Sequence, residues 1–303
     1  MRGKSFLRLA GKVSDISRVL QGLVTADMSR LSSSTPIAAT LLTNKGRVIA
    51  DCTLLQHEEA VLLHADESLL PTVKSLVNTY KLRTTIDLQI VDASVKWSDG
   101  APAGTTGLHF ADPRCEALGA WAIDLSGQPP AFHGEDEYNL QRVLNGVGEG
   151  REIVDEIPLE CNLDFLNAIS FTKGCYLGQE LVARTKFKGV VRKRIVPFLA
   201  ESSIKSNHLF DRFQKLGESI ENLYQRDETV FDISRGSKVV SPEGEVGEVI
   251  CFKEGRGLAK MRLDILLKNP KLSIGNIRVF AHMPRWWPET DPVTQKSIFD
   301  GIS

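Results

Sequence analysis

The chain has 303 residues, which at ~150 residues per domain predicts about two domains. Hydrophobic residues make up 42% and charged residues 25%, a globular composition that excludes disorder as the dominant state. The formal net charge of −1 comes from 37 basic and 38 acidic residues. This balance argues against a bulk polyanion binder, so nucleic acid is not expected as a partner.

The five cysteines are an odd number in a chain too long to need disulfide staples. They therefore indicate a reducing compartment. No run of 18 or more apolar residues is present, so we expect no membrane helix and no membrane partner. The basic start of the chain lacks an apolar stretch of signal-peptide length, which fits a chain whose organelle presequence has been removed.

In chain order, the first hundred residues predict a β-rich module with two helices. The predicted elements are a strand at 6–10, a helix from about 14 to 23, a hairpin over 38–55, a strand at 60–64, a helix at 67–80 and a strand at 85–91. Ser14 or Asp15 is expected to cap the first helix, because their side-chain oxygens accept from its free N–H groups. Gly46 is expected to turn the hairpin, since glycine tolerates positive φ.

The middle of the chain predicts two short strands within 108–125, around Asp112 and Arg114, and a helix at 136–145. Residues 98–106 are expected to form a loop. The glycine-rich stretch 146–150 lacks the spacing of a dinucleotide site and no strand leads into it, so we interpret it as a loop rather than a phosphate cradle.

After residue 194 the sequence pattern changes to short apolar segments. Five short strand candidates, at 195–199, 238–240, 246–252, 257–262 and 277–280, are separated by turn-forming tetrapeptides. This spacing predicts a small β-barrel or sandwich. A polar segment near 203–232 interrupts it and is expected to be an exposed helical insertion or loop.

The densest set of unusual residues is an octapeptide that contains Lys173, Gly174, Cys175, Tyr176, Gly178, Gln179 and Glu180. Glycines on either side of Cys175 indicate a tight turn with open backbone, and the residues that follow predict a helix. A thiol just ahead of a helix N-terminus, with Lys173 beside it, is favoured as the nucleophilic and metal-binding thiolate. Glu180 and Arg184 are spaced to pair on one helix face. The alternative is that Cys175 is a small buried residue in a turn.

This octapeptide, followed by Arg184, resembles the signature of the YgfZ/GcvT-like family. Weaker matches support the resemblance along nearly the whole chain, at Leu20–Asp27, Leu42–Val48, Pro158–Phe165, Arg184–Arg194 and Trp286–Pro288. The last two are most similar to the mitochondrial branch of the family.

The resemblance implies an α+β fold with two ferredoxin-like α+β modules around a central cavity and a small C-terminal β-barrel. Residues 1–50 with 126–192 would form the first module, which carries the octapeptide, and 51–125 the second. Residues 193–303 would form the barrel, with the polar insertion near 203–232.

The resemblance also implies an iron–sulfur cluster assembly factor of the mitochondrial matrix rather than an enzyme. It would aid maturation of [4Fe–4S] proteins with an A-type scaffold protein and ferredoxin as partners, and would be monomeric on its own. Cys175 would give a cluster or redox thiolate to a transient iron–sulfur cluster shared with the partner. Lys173 would hold the thiolate ionised, Gly174 and Gly178 would permit close approach, and the turn would be held by Gln179, Glu180 and Arg184.

Two alternatives stay open beside this reading. One is a folate-dependent aminomethyltransferase with tetrahydrofolate in the cavity, and the other is a folate-binding scaffold without chemistry. The catalytic carboxylate of the transferase has no identifiable counterpart here, because Asp92 and Asp99 are interpreted as solvated loop acids. The other cysteines lack ligand spacing, so a closed metal site within one chain is not expected.

The stretch Arg184–Arg194 holds six basic residues and no acid. It is either a solvated hairpin between two domains or a patch for an acidic protein, an anionic cofactor or nucleic acid. With Phe187 as its one aromatic residue it lacks a platform for stacking single-stranded bases.

Overall fold

The computed structural model describes residues 4–100, 107–126, 131–204, 224–227, 229–268, 271–290 and 297. No helix among these residues is long and apolar enough to span a membrane. The chain divides into two compact units. Unit 1 comprises residues 1–138 and 149–189, and unit 2 comprises residues 139–148 and 190–303.

Unit 1 is organised around one antiparallel-rich sheet. Its described strands are β1 (Lys4–Ala10), β2 (Ile37–Leu42), β3 (Val48–His57), β4 (Ala60–His64), β5 (Asp87–Ser98), β6 (Leu108–Ala111), β7 (Ala120–Asp124) and β8 (Phe132–His133). They follow the order β2-β3-β4-β1-β5-β7-β6, with β8 paired parallel to β5. The hairpin predicted around Gly46 is confirmed as β2 and β3.

Two helices cover part of this sheet, α1 (Val13–Gln21) and α2 (Leu70–Tyr80), and both contact β1. Their apolar faces meet the strand's buried leucines in one core that includes Leu7, Leu9, Ile16, Leu20, Val73 and Val77. Each such side chain, fully removed from water, contributes roughly 1.5–3 kcal/mol. This burial explains why the helical spacing was readable in the sequence.

The predicted cap of α1 is wrong. The helix begins at Val13, and Lys12 is its N-cap residue without any side-chain hydrogen bond. Asp15 lies inside the first turn instead, where it pairs with Arg18 at 2.8 Å. An acidic residue in the first turn still favours the helix through its dipole.

Strand β5 is longer than predicted, because it pairs with β1 along one part and with β7 along another. Asp92 therefore lies in the strand rather than in a loop, and accepts a hydrogen bond from Ser5 Oγ at 2.7 Å. Asp99 follows directly after the strand, in a bend. A second aromatic core in unit 1 packs Trp97, Trp121, Phe132 and Tyr138 together.

Unit 2 contains a closed barrel. Its described strands are β9 (Lys193–Ala200), β10 (Lys238–Ser241), β11 (Gly244–Lys253), β12 (Arg256–Arg262), β13 (Leu272–Ile274) and β14 (Ile277–Ala281), in the order β10-β11-β12-β9-β14-β13. The sequence predicted five of these strands and missed β13, which is only three residues long. Closure into a barrel removes the exposed sheet edges.

The remaining α-helices among the described residues are α3 (Glu135–Leu144), α4 (Gln179–Lys188) and the single turn α5 (Leu263–Leu266). The α+β class and the C-terminal barrel are thus confirmed. The bounds given above for two separate N-terminal modules stay a prediction. Most of the polar segment near 203–232, and residues 101–106 of the predicted loop, lie outside the described residues.

Candidate functional site

The octapeptide forms an exposed turn that leads into α4. Gly178 is the N-cap of the helix with φ +80°, and the helix begins at Gln179. The Gln179 side chain reaches back, and its Oε1 accepts from the backbone N–H of Tyr176 at 3.2 Å. Cys175, three positions before the cap, is an exposed free thiol. The buried alternative for Cys175 is therefore wrong, and the thiol is open to solvent.

Lys173 anchors this turn to a distant part of the chain. Its ammonium donates to the backbone carbonyls of Gln21, Val24 and Ala26 at 2.7, 2.8 and 2.7 Å. These bonds use all three donors of the ammonium group. Burial lowers the pKa of Lys173 to about 8, while the carboxylate of Asp27 acts in the opposite direction. All three N–H donors of Lys173 are thus used by the 21–26 turn, and none is left to donate to the Cys175 thiol.

The 21–26 turn is itself held by side chains. Gln21 Nε2 donates to Asp27 Oδ1 at 3.1 Å, and Gln21 Oε1 accepts from the N–H of Met28 at 2.8 Å. Asp27 caps the following 3-10 turn by accepting from the N–H of Ser29 at 3.0 Å. That hydrogen bond, together with the Lys173 charge, lowers the pKa of Asp27. Asp27 thus helps to hold the turn to which Lys173 is hydrogen-bonded.

The two glycines of the octapeptide have different surroundings. A Cβ on Gly178 would overlap the carbonyl oxygen of Thr43 and lie 3.0 Å from Gly46 Cα in the β2–β3 turn. The close approach that Gly178 permits is therefore to its own chain. Gly174 is exposed, and a Cβ there would meet nothing within 4 Å. The backbone at Gly174 is therefore open to solvent.

Helix α4 has one buried and one exposed face. Val182 is buried, and the ammonium of buried Lys186 lies 3.6 Å from Asp164 Oδ2 and over the Phe171 ring at 4.6 Å from its centre. Arg184 and Glu180 are both exposed, and the predicted ion pair between them is not formed. The stretch from Arg184 is thus helical up to Lys188, so the hairpin alternative is wrong for these residues.

The other cysteines are placed differently from Cys175. Cys52 and Cys161 are buried, and burial raises the pKa of Cys52 far above its usual range and that of Cys115 to about 12. Among the described residues, no group of three or more His, Cys, Asp or Glu side chains is arranged to hold a metal ion. Cys175 is thus the exposed thiol of the described chain.

Sequence reasoning missed a buried charge network in unit 1. The Arg114 guanidinium donates to both carboxylate oxygens of Asp112 at 2.9 and 2.7 Å, to Glu149 at 2.8 Å and to the Tyr138 hydroxyl at 2.7 Å. Trp121 Nε1 also donates to Asp112, at 2.8 Å. The planar fork of Arg114 gives a two-pronged contact to Asp112 and a further N–H to Glu149, and a lysine ammonium lacks this planar geometry. The Asp-Pro-Arg tripeptide was noted only as a turn, and nothing local in the sequence indicates Glu149 as its partner.

Comparison with known proteins finds one match to the C-terminal domain and another along most of the chain. Residues 192–289 match the family described as CAF17, C-terminal beta-barrel domain, in agreement with the barrel of unit 2. A curated protein from Pyricularia oryzae, described as "Iron-sulfur cluster assembly factor IBA57 homolog, mitochondrial", is 32% identical over 291 residues, which cover 83% of this chain and 68% of that protein.

A protein of the same description from Neurospora crassa is 32% identical over 216 residues, which cover 60% of this chain but only 49% of that relative. This chain thus spans about half the length of that relative. Among solved structures, the glycine cleavage system aminomethyltransferase T from Bartonella henselae superposes with a TM-score of 0.63 over 98% of this chain and 88% of that one, at 12% identity. This likeness shows a shared fold.

Proposed function

Because the chain belongs to the IBA57 family, we propose that it is an iron–sulfur cluster assembly factor of mitochondria, acting in the matrix. The observation that carries the proposal is the exposed thiol of Cys175, held on a turn that is anchored at both ends. An exposed cysteine on a supported turn is suited to bind iron, since thiolates are the usual ligands of iron–sulfur clusters.

One thiol from this chain requires that a partner supply the other ligands of the cluster. An A-type scaffold protein fits that role, with the cluster bridging its cysteines and Cys175. Joining two oxidised [2Fe–2S] units into one [4Fe–4S] cluster takes up two electrons, which two equivalents of reduced ferredoxin, each giving one electron, can deliver. In this proposal the cluster is cargo, and this chain holds it in place during that step.

The likeness to the aminomethyltransferase does not make one-carbon transfer a second proposal. At 12% identity the structural similarity shows a shared fold, and one fold serves many functions. Asp92, which lies in the region where the transferase family has its catalytic carboxylate, is part of β5 and accepts a hydrogen bond from Ser5.

The test is anaerobic transfer of a cluster with purified components. The protein, a [2Fe–2S]-loaded A-type scaffold and reduced ferredoxin are mixed with an apo-protein that needs a [4Fe–4S] cluster, and its activity is followed with the visible absorbance of the mixture. A cluster held jointly by Cys175 and the scaffold should give a visible absorbance that neither protein shows alone, and we call this the shared chromophore. We expect Cys175→Ala to abolish the shared chromophore and to reduce transfer at least tenfold.

Cys115→Ala is the matched control, because the high pKa of its partly buried thiol keeps it protonated. It should behave like the unmodified protein. Full transfer and an unchanged chromophore with Cys175→Ala would contradict the role of the thiolate.

A further inference from the structure

The outward face of α4 combines an apolar residue with positive charge. Phe187 is 56% exposed, and its ring stands edge-on to Phe171 with 6.2 Å between the ring centres. Arg184 and Lys188 lie three positions before it and one after, and are also exposed. Helical spacing places these three side chains on one side of the helix.

Within the described part of the chain, no acidic side chain neutralises the two cations on this face. Neither Arg184 nor Lys188 forms an ion pair among the described residues, whereas buried Lys186 on the opposite side is paired with Asp164 at 3.6 Å. Glu180, one turn before Arg184, is the single acid of the helix. The face is therefore positively charged around an aromatic centre.

An exposed phenylalanine between two exposed cations that have no acidic partner among the described residues has the composition of an interface centre. Aromatic residues and arginine dominate binding energy at protein interfaces, while charges at the rim set orientation and association rate. Nucleic acid fits less well, because one phenylalanine gives no row of rings for stacking bases.

We propose that the face formed by Arg184, Phe187 and Lys188 docks an acidic protein surface that has an apolar pocket for the Phe187 ring. The partner is the cluster-carrying scaffold, so the inference rests on the proposed function. The helix begins four residues after Cys175. Next to the thiol, Gly174 has no side chain and leaves open space for the backbone of a partner. Docking on α4 would thus bring the partner's cluster beside the thiol.

Docking and cluster binding are separable by experiment. Binding of metal-free A-type scaffold is measured by titration calorimetry, in low and in physiological salt, for the unmodified protein, Phe187→Ser, Arg184→Glu with Lys188→Glu, and Cys175→Ala. We expect the first two variants to bind at least tenfold more weakly, and the charge reversal to remove most of the salt dependence. Cys175→Ala should bind the metal-free scaffold within about twofold of the unmodified protein. With the cluster-loaded scaffold, the same variant should lose the shared chromophore.

Tyr80→Ser and Arg83→Glu are matched controls, since Tyr80 is 44% exposed at the end of α2 and Arg83 is exposed just beyond it. Both should bind like the unmodified protein, and circular dichroism should show every variant folded. Unchanged binding by the α4 variants, no metal-free binding at all, or stronger binding of a single-stranded oligonucleotide than of the scaffold would each overturn the docking face. Retention of the chromophore by Cys175→Ala would instead overturn the role of the thiol and leave the docking face standing.

Discussion

Gly46 and Gly178 lie directly against each other, although 132 positions separate them in the sequence. A Cβ on Gly46 would stand 2.8 Å from the carbonyl oxygen of Gly178, and one on Gly178 would stand 3.0 Å from Gly46 Cα. Both glycines have positive φ, +78° and +80°. The hairpin turn and the N-terminus of α4 are therefore fitted to each other, and the position of the Cys175 turn depends on this contact.

Gly178→Ala should destabilise the protein, whereas Gly174→Ala should not. Alanine at φ +80° is strained, and its methyl group would also overlap the Thr43 carbonyl, so we expect a loss of about 2–4 kcal/mol in the free energy of unfolding. Gly174 has open space around it, so its substitution should change stability by less than about 0.5 kcal/mol. Urea unfolding measures both, and equal losses would contradict the assigned contacts.

The sequence predicted those parts of the fold that depend on neighbouring residues. The β2–β3 hairpin followed from Gly46, and the start of α4 followed from the residues after Gly178, because turn chemistry is local. The three-residue β13 has no such signal, because only its pairing with β10 and β14 makes it a strand.

The site was predicted in part for the same reason. The thiol and its turn were readable from the octapeptide, but the partners of Lys173 lie 147 to 152 positions earlier in the chain. Arg114 likewise meets Glu149 across 35 positions. Such contacts are decided by tertiary packing, which a single sequence does not show.

Lys173→Met should weaken the fold at the 21–26 turn. Methionine has a similar length but donates no hydrogen bond, so the carbonyls of Gln21, Val24 and Ala26 would lose their charged donor. We expect a loss of about 2–4 kcal/mol, since hydrogen bonds to charged groups are the stronger ones. Urea unfolding measures it, with exposed Lys45→Met as the control, which should stay within about 0.5 kcal/mol. The same small effect for both would show that the ammonium does not anchor the turn.

Arg114→Met should be among the most damaging single substitutions in unit 1. It leaves Asp112 and Glu149 without their cation, in a site where the Asp112 side chain is only 1% exposed. Breaking a buried ion pair by removing one partner costs about 3–5 kcal/mol. The surface pair of Arg18 and Asp15 is the comparison, since the Arg18 side chain is 71% exposed.

Thermal unfolding of Arg114→Met and Arg18→Met distinguishes these two cases. The first should lower the melting temperature markedly, and the second should leave it nearly unchanged, because exposed pairs contribute about 0–1 kcal/mol. A melting temperature for Arg114→Met close to that of the unmodified protein would contradict the network.

Asp51→Asn should stabilise the protein at neutral pH but not in acid. Asp51 Oδ1 accepts from the N–H of Gly150 at 2.8 Å, and burial together with the nearby Glu149 carboxylate raises its pKa to about 6. Between the unfolded value of about 4 and this folded value, the folded protein binds more protons than the unfolded chain. The contribution of Asp51 to stability is therefore fully present below about pH 4 and is lost as the pH rises through about 6.

Asparagine keeps the acceptor oxygen for Gly150 and removes the charge. The free energy of unfolding of Asp51→Asn should therefore equal that of the unmodified protein near pH 4 and exceed it by about 1–3 kcal/mol at pH 7. Urea unfolding of both proteins at intervals between these pH values gives the difference directly, and groups that titrate alike in both proteins cancel from it. A difference that does not change with pH, or one that grows towards acid, would show that Asp51 is not held with a raised pKa.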